Sequence, residues 1–298
     1  MKKVCAWILA VLVVCSVVAV AGDNAGAASN VPKLIRISKY DVKIGKTLEY
    51  ESLVRQVRQA LNSNNANYHW VAASPIAGTG GTIDIIGFYD NFAEIEQSMK
   101  SFMQGARSVM QNTAFNRDAS ESIQGTKGII ARYREDLSYR PEKLDLANST
   151  SWELTVVKLR PGTAMEYNDL EKEAIELHKR GNIDEHWVVY AVEYGGHSPT
   201  LLYLTSLKSL ADLDVDRRDV HKAVFTDSIR RRFSHVAQEA VVSEESTVLT
   251  VRPDLSRAPQ TLVAANPGFW TVKEEAPVVA SKKGKKSAVQ PASMKEKQ

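Results

Sequence analysis

The 298-residue sequence predicts an α+β protein assembled from two tandem β-α-β-β-α-β units. Three observations predict it. The middle of the chain repeats itself at an offset of 117 to 118 positions, strand-type and helix-type patterns alternate in the same order in both copies, and both cysteines, Cys5 and Cys15, lie in the leading apolar segment. The body therefore has no disulfide, thiolate or cysteine-based metal site, and burial alone has to stabilise it.

The repeat rests on three matches in one order. Val42, Lys43, Glu49, Tyr50 and Leu53 align with Leu159, Arg160, Glu166, Tyr167 and Leu170; His69, Trp70 and Val71 align with His186, Trp187 and Val188. Arg134, Asp136, Leu137, Ser138 and Pro141 align with Arg252, Asp254, Leu255, Ser256 and Pro259. A repeat of this length reads as a duplicated structural unit.

Each copy is read element by element. Leu34 to Lys43 and Trp152 to Arg160 alternate and are rich in β-branched residues, so both are strands. From Thr47 to Asn62 the apolar positions Leu53, Val54, Val57, Ala60 and Leu61 repeat at helical spacing. Tyr167, Leu170, Ala174 and Leu177 repeat it in the second copy, where Gly181 is the stop signal. Second strands follow at Tyr68 to Ser74 and Glu185 to Tyr194. Turns at Gly78, Gly80 and Gly81, or at Gly195 and Gly196, lead to third strands at Thr82 to Phe88 and Thr200 to Thr205. Helical regions are expected from Asn91 to about Asn112 and from Ser206 to about Ala240, with Asn91 and Ser206 as their caps. The last strands are Gly128 to Arg134 and Thr247 to Arg252.

That order is the ferredoxin-like plan, an antiparallel sheet with its helices on one face. The other face must be covered, and the economical cover is the second copy. The expected fold is therefore an intrachain pseudo-dimeric α/β barrel, a monomer with an internal pseudo-dimer. From about Leu34 to Pro259 the chain resembles the dimeric α/β-barrel superfamily, tandem-duplicated in one chain and similar to antibiotic-biosynthesis-monooxygenase-like and NIPSNAP-like proteins. The resemblance implies the barrel and permits cofactor-free oxidation, but its members differ in chemistry. The chain divides into 1–27 (signal peptide), 28–145 and 146–260 (the two units) and 261–298 (a C-terminal extension with a disordered basic tail).

The two ends are not expected to join the fold. Lys2 and Lys3, the apolar run Val4 to Val20 and the small residues after it have the layout of a signal peptide for export to a periplasmic or extracellular space. Cleavage after Ala21 and after Ala27 both fit. An uncleaved anchor is the rival reading, and Val14 argues against lipidation at Cys15. Lys273 to Gln298 holds seven lysines, three glutamates and no aromatic residue, a composition that cannot offset its ordering entropy. Without that tail, Lys2 and Lys3, the total of +3 becomes about −3 for the body, which speaks against nucleic-acid binding. Lys282, Lys283, Lys285 and Lys286 offer at most weak attraction to an anionic surface.

Candidate chemistry follows from alternation on the first strands. Ile35, Ile37, Trp152 and Leu154 are expected to face the helices, leaving Arg36, Ser38, Tyr40, Glu153, Thr155 and Val157 facing the space between the sheets. Arg36 and Glu153 match with opposite charge, as a structural ion pair or a ligand anchor. The repeated His69-Trp70 and His186-Trp187 pairs suit an aromatic or quinone-like ligand, with either histidine as proton acceptor, and equally suit packing at a strand start. The candidate catalytic residues are thus His69 and His186, and the candidate ligand-binding residues are Trp70, Trp187, Arg36, Tyr40 and Glu153. Glu49 and Glu166 read as first-turn acids favoured by the helix dipole, and His178 as a packing residue matching Leu61.

Several classes lack their motifs. The six histidines show no metalloprotease-type spacing, so no local metal site is expected; one assembled from distant positions stays open. Gly78-Thr79-Gly80-Gly81 lies between two strands and reads as a hairpin turn, and no Gly-x-Ser-x-Gly elbow occurs. No motif asks for a cofactor. The leading expectation is an exported protein, without a stable membrane span once the signal is removed, that binds a small, mainly apolar or aromatic ligand in an inter-sheet cavity. The alternatives are a cofactor-independent monooxygenase-like enzyme and a structural or protein-interaction module with a filled barrel.

Overall fold

A computed structural model describes residues 31–77, 81–215, 221–222 and 224–272. The expected signal peptide with both cleavage points, Gly78, Gly80 and the basic tail lie outside the described residues. The first unit consists of strands β1 (Leu34–Val42), β2 (Val71–Pro75), β3 (Thr82–Tyr89) and β4 (Ile123–Tyr139) with helices α1 (Thr47–Ser63), α2 (Phe92–Gly105), α3 (Arg107–Met110) and α4 (Thr113–Ser122). In the second unit the strands are β5 (Ser151–Leu159), β6 (Trp187–Tyr194), β7 (Thr200–Leu207) and β8 (Val241–Val251), and the helices α5 (Ala164–Gly181) and α6 (Asp227–Ala240).

The eight strands close into one antiparallel barrel in the order β1-β3-β2-β8-β5-β7-β6-β4. Within each half, last, first, third and second strands are neighbours, the ferredoxin-like order. Each half has two free edges, and the halves close them for one another: β2 pairs with β8, and β4 with β6. Closure leaves no edge for another chain to extend. At the β4–β6 seam Gly195 has φ +81°, and a Cβ there would stand 2.0 Å from the Gly128 carbonyl oxygen, so the seam needs glycine at that turn.

The repeated Arg-x-Asp-Leu-Ser segment holds each seam. The Trp70 indole N–H donates to the Leu255 carbonyl at 2.9 Å, and the Trp187 indole to the Leu137 carbonyl at 3.0 Å. Ser256 accepts from the Ala72 amide at 2.8 Å while donating to the Arg252 carbonyl; Ser138 accepts from the Val189 amide at 2.9 Å while donating to the Arg134 carbonyl. Arg252 and Arg134 fork onto Asp254 and Asp136, which receive Arg55 from α1 and Lys172 from α5. Every one of these pairs has its counterpart 117 or 118 positions away, and each segment grips the opposite unit.

The facing of the strands reverses the expectation. Ile35 and Ile37 of β1 and Trp152 and Leu154 of β5 pack together inside the barrel with Tyr190, Leu202 and Val251. Tyr40 packs under α1 and Val157 under α5, so the mixed series on both strands looks outward at the helices. The reason is solvent access. The interior around Trp152, Tyr190 and Leu202 takes the mainly apolar series, whereas Arg36 and Glu153 lie in the helix-covered layer, where both stay partly exposed. Arg36 and Glu153 stand on β1 and β5, opposite walls of the barrel, and both point outward, so they do not pair with each other.

Other elements also depart from expectation. Asn91 caps α2, accepting from the Glu94 amide at 2.9 Å. Ser206 caps nothing: it lies buried within β7, and Thr226 caps α6 instead. The helical region after β3 continues through α4 to Ser122. Two short helices, α7 (Gln260–Ala265) and α8 (Pro267–Trp270), lie in what was expected to be extension. Their Leu262, Val263 and Phe269 pack on the barrel core, and the buried Trp270 donates its indole N–H to the Ala147 carbonyl at 2.9 Å.

A carboxylate also turns toward the interior. Asp84 alternates with the outward Ile83 and Ile85, is buried, and has one carboxylate oxygen without a hydrogen bond. Burial pushes its carboxyl up to about 6, against the pull of Lys39 and with the push of Asp41. The matching position in β7 is Leu202.

Two outcomes are expected. Ser138→Ala and Ser256→Ala each remove the acceptor of a buried amide and lower stability by about 1–3 kcal/mol in urea unfolding. The raised Asp84 carboxyl means that the folded state holds its proton longer than the unfolded chain, so this group costs stability as pH rises from about 4 to about 6. Asp84→Asn should therefore raise stability at pH 7 by roughly 2–3 kcal/mol, have no such effect at pH 3, and flatten the pH dependence between.

Candidate functional site

Between the outer face of each sheet half and its helices lies a cavity of about 230 Å³. In the first unit Tyr40 and Ile85 supply the sheet wall, Tyr50 and Val54 come from α1, and Phe102 and Phe115 from α2 and α4. Trp70 and Tyr68 close the side next to the seam. These positions follow from local sequence. Outward alternation on β1 and β3 presents Tyr40 and Ile85, and the helical stripe of α1 presents Tyr50, Leu53, Val54 and Val57. The rings brace one another: Tyr40 lies 5.6 Å from Tyr50, and Tyr68 lies 4.8 Å from Phe102 and 5.8 Å from Trp70. Arg36 reaches this layer and donates to the Tyr68 hydroxyl at 3.2 Å. Burial raises the Tyr40 and Tyr50 phenols, so both stay protonated and serve as neutral donors.

The second cavity occupies the matching place with different chemistry. Tyr167 and Trp187 match Tyr50 and Trp70, but Glu171 stands where the first unit has Val54, and Tyr203 where it has Ile85. Glu153, Thr155 and Glu244 complete a polar wall. Burial pushes the Glu171 carboxyl up to about 6, although the Tyr203 and Tyr167 hydroxyls beside it pull the other way. Burial and the neighbouring Glu171 drive Tyr203 well above its ordinary range, and its hydroxyl makes no hydrogen bond of good geometry.

The sequence candidates are thus distributed. Tyr40 and Trp70 line the apolar cavity, Glu153 and Trp187 line the polar one, and Arg36 acts on the first through Tyr68. His69 and His186 line neither. His69 Nδ1 stands 3.3 Å from the Ala258 carbonyl, and His186 Nε2 stands 3.1 Å from the Ser206 hydroxyl. Burial lowers both histidines, helped by Arg257 at His69 and by Lys143 at His186. The space between the two sheet halves, where the ligand cavity was expected, is packed with Trp152, Tyr190, Leu202 and their neighbours. The helix-side cavities escaped the sequence reading because they follow from which face turns inward, which alternation alone leaves undecided. The signal for Tyr50 and Tyr167 was present in the repeat.

Residues 152–255 match the NIPSNAP family model. That span runs from Trp152 in β5 to Leu255 of the seam, so the NIPSNAP match takes in the second unit and its polar cavity. The expected NIPSNAP-like resemblance is borne out over this span. No curated protein matches the chain. Solved structures similar to it include an anthrone oxidase-like protein, with TM-score 0.48 and 12% identity over 75% of this chain and 93% of that one. Another is a protein provisionally assigned as a monooxygenase from Lactobacillus acidophilus NCFM, with TM-score 0.44 and 9% identity over 76% and 96%. A third is a mutant chlorite dismutase from Candidatus Nitrospira defluvii, with TM-score 0.42 and 7% identity over 75% and 92%.

The polar cavity of the second unit makes its own prediction. Glu171→Gln removes a carboxylate that burial disfavours, so stability at pH 7.5 should rise relative to the unaltered protein and the gain should vanish at pH 4; thermal unfolding at the two pH values measures it.

Proposed function

We propose that the chain is an exported binding protein for a small, mainly apolar molecule, held in the helix-covered cavity of its first unit. The observation that carries this reading is that cavity itself: about 230 Å³, walled by Tyr40, Tyr50, Tyr68, Trp70, Phe102 and Phe115. Aromatic walls with a few fixed donors are what small-molecule sites present, and the volume lies below the ~300 Å³ at which drug-sized sites begin. A compact aromatic molecule fits, stacked on Trp70 with a polar substituent toward a tyrosine hydroxyl. Export rests on the basic, apolar and small-residue layout of Met1 to Ala27. The paired contacts at both seams support descent of the two units from a tandem duplication, after which the first cavity stayed apolar and the second acquired Glu171 and Tyr203.

A cofactor-independent oxygenase needs a base that reaches the ligand, and neither His69 nor His186 lines the apolar cavity. The packed barrel interior favours a second reading, a structural or protein-interaction module.

Native mass spectrometry of the exported protein should show a co-purified small molecule, and naphthalene-sized aromatics should quench Trp70 fluorescence. Val54→Phe fills the cavity from α1 and should weaken binding by about tenfold or more while the circular dichroism is retained. Unchanged binding in Val54→Phe would remove the apolar cavity as the site, and no binding by the unaltered protein would leave the interaction module. Oxygen uptake with quinol-type substrates that disappears in His69→Ala would replace the binder by the oxygenase.

A further inference from the structure

Behind Trp187, a wall of the polar cavity, the second unit brings three metal-ligating side chains together from three segments. His178 sits in the last turn of α5, Glu185 in the loop before β6, and His221 in the connection between β7 and α6. Local spacing gave no metal expectation, because the third ligand comes from a distant part of the sequence. His178 Nε2 lies 3.2 Å from Glu185 Oε2, and His221 Nε2 lies 3.2 Å from Glu185 Oε1. All three ligand atoms fall within 4.8 Å of one another.

The tautomers make the arrangement informative. His178 Nδ1 stands 2.7 Å from the Ala174 carbonyl, an acceptor only, so Nδ1 carries a proton and Nε2 turns toward the carboxylate. A neutral His178 would aim a lone pair at Glu185, a repulsive contact unless a cation stands between them. His221 Nε2 is buried and, although close to Glu185, makes no hydrogen bond. A metal ion resolves both contacts at once. Zinc–nitrogen bonds of about 2.0–2.1 Å place tetrahedral ligand atoms about 3.4 Å apart, close to the two 3.2 Å separations. The Ala174 carbonyl is the outer partner that fixes a metal-binding imidazole. Rings of Trp187, Tyr139 and Phe225 stand 4.9 to 5.4 Å from His178 and keep the surroundings apolar.

We propose that His178, Glu185 and His221 bind a divalent transition-metal ion of the zinc class, with a fourth position open to water. Two imidazoles and one carboxylate are a borderline donor set that suits zinc or cobalt better than the oxygen-seeking calcium or magnesium. The ion ties the end of α5 to the loop before β6 and the segment before α6, a cross-link in the half of the molecule whose body has no cysteine.

The test uses the full mature chain without an affinity tag, stripped with EDTA and then titrated with zinc or cobalt alone. One ion per chain, a higher thermal midpoint, and the strong visible absorption of tetrahedral cobalt(II) are expected. His221→Ala, at a partly exposed position, should weaken zinc binding by about 100-fold or more while the metal-free midpoint stays close to that of the unaltered protein. Glu185→Gln should weaken it by about tenfold or more, and His235→Ala on the surface of α6 should change nothing. Absence of stoichiometric binding by the intact chain, or equal binding in His221→Ala, would overturn the proposal and leave His178 as a packing residue beside Glu185.

Discussion

Everything in this molecule depends on the crossed seams, where each half closes the other's open sheet edge. A four-stranded ferredoxin-like sheet alone has two unpaired edges and a bare apolar face, and neither is tolerable in water. Here one contact serves both needs. The indole of Trp70 or Trp187 donates to a leucine carbonyl of the opposite unit, and a serine hydroxyl beside it replaces a missing strand partner. Leu137 and Leu255, fully buried at the same places, add burial to the hydrogen bonds.

The same tryptophans also form walls of the two cavities, which couples the halves to their sites. Each seam bond thus runs from a cavity wall of one unit to the backbone of the other. Within this common frame the units differ in chemistry. Val54 and Ile85 keep the first cavity free of charge, so an apolar occupant loses little by entering. Glu171 and Tyr203 make the second one a place where a buried carboxyl sits near the border of ionisation.

Inward and outward faces were the point at which pattern and structure parted. On β1, alternation separates Ile35 and Ile37 from Arg36 and Tyr40 with no ambiguity, but both faces of a barrel strand are covered, one by other strands and one by helices. Assigning the greasier series to the helices is right for a sheet with a wet face. It fails for a closed barrel, whose interior is the driest space available. With that inversion, the expected inter-sheet cavity became a core, and the expected cross-barrel meeting of Arg36 and Glu153 became two separate outward positions.

The sequence by itself determined the repeat, the order of strands and helices, and the residues that recur at 117 to 118 positions. It did so because periodicity and capping are local, and two similar halves report each element twice. His69-Trp70 and Asp136-Leu137-Ser138 stood out in the sequence, yet their use at opposite seams was decided only when the two units came together. Tertiary structure alone likewise chose the buried face of every strand, set Trp270 against the barrel core, and gathered His178, Glu185 and His221. Each of these joins residues distant in the chain, and closure of the barrel, a property of all eight strands at once, fixes them.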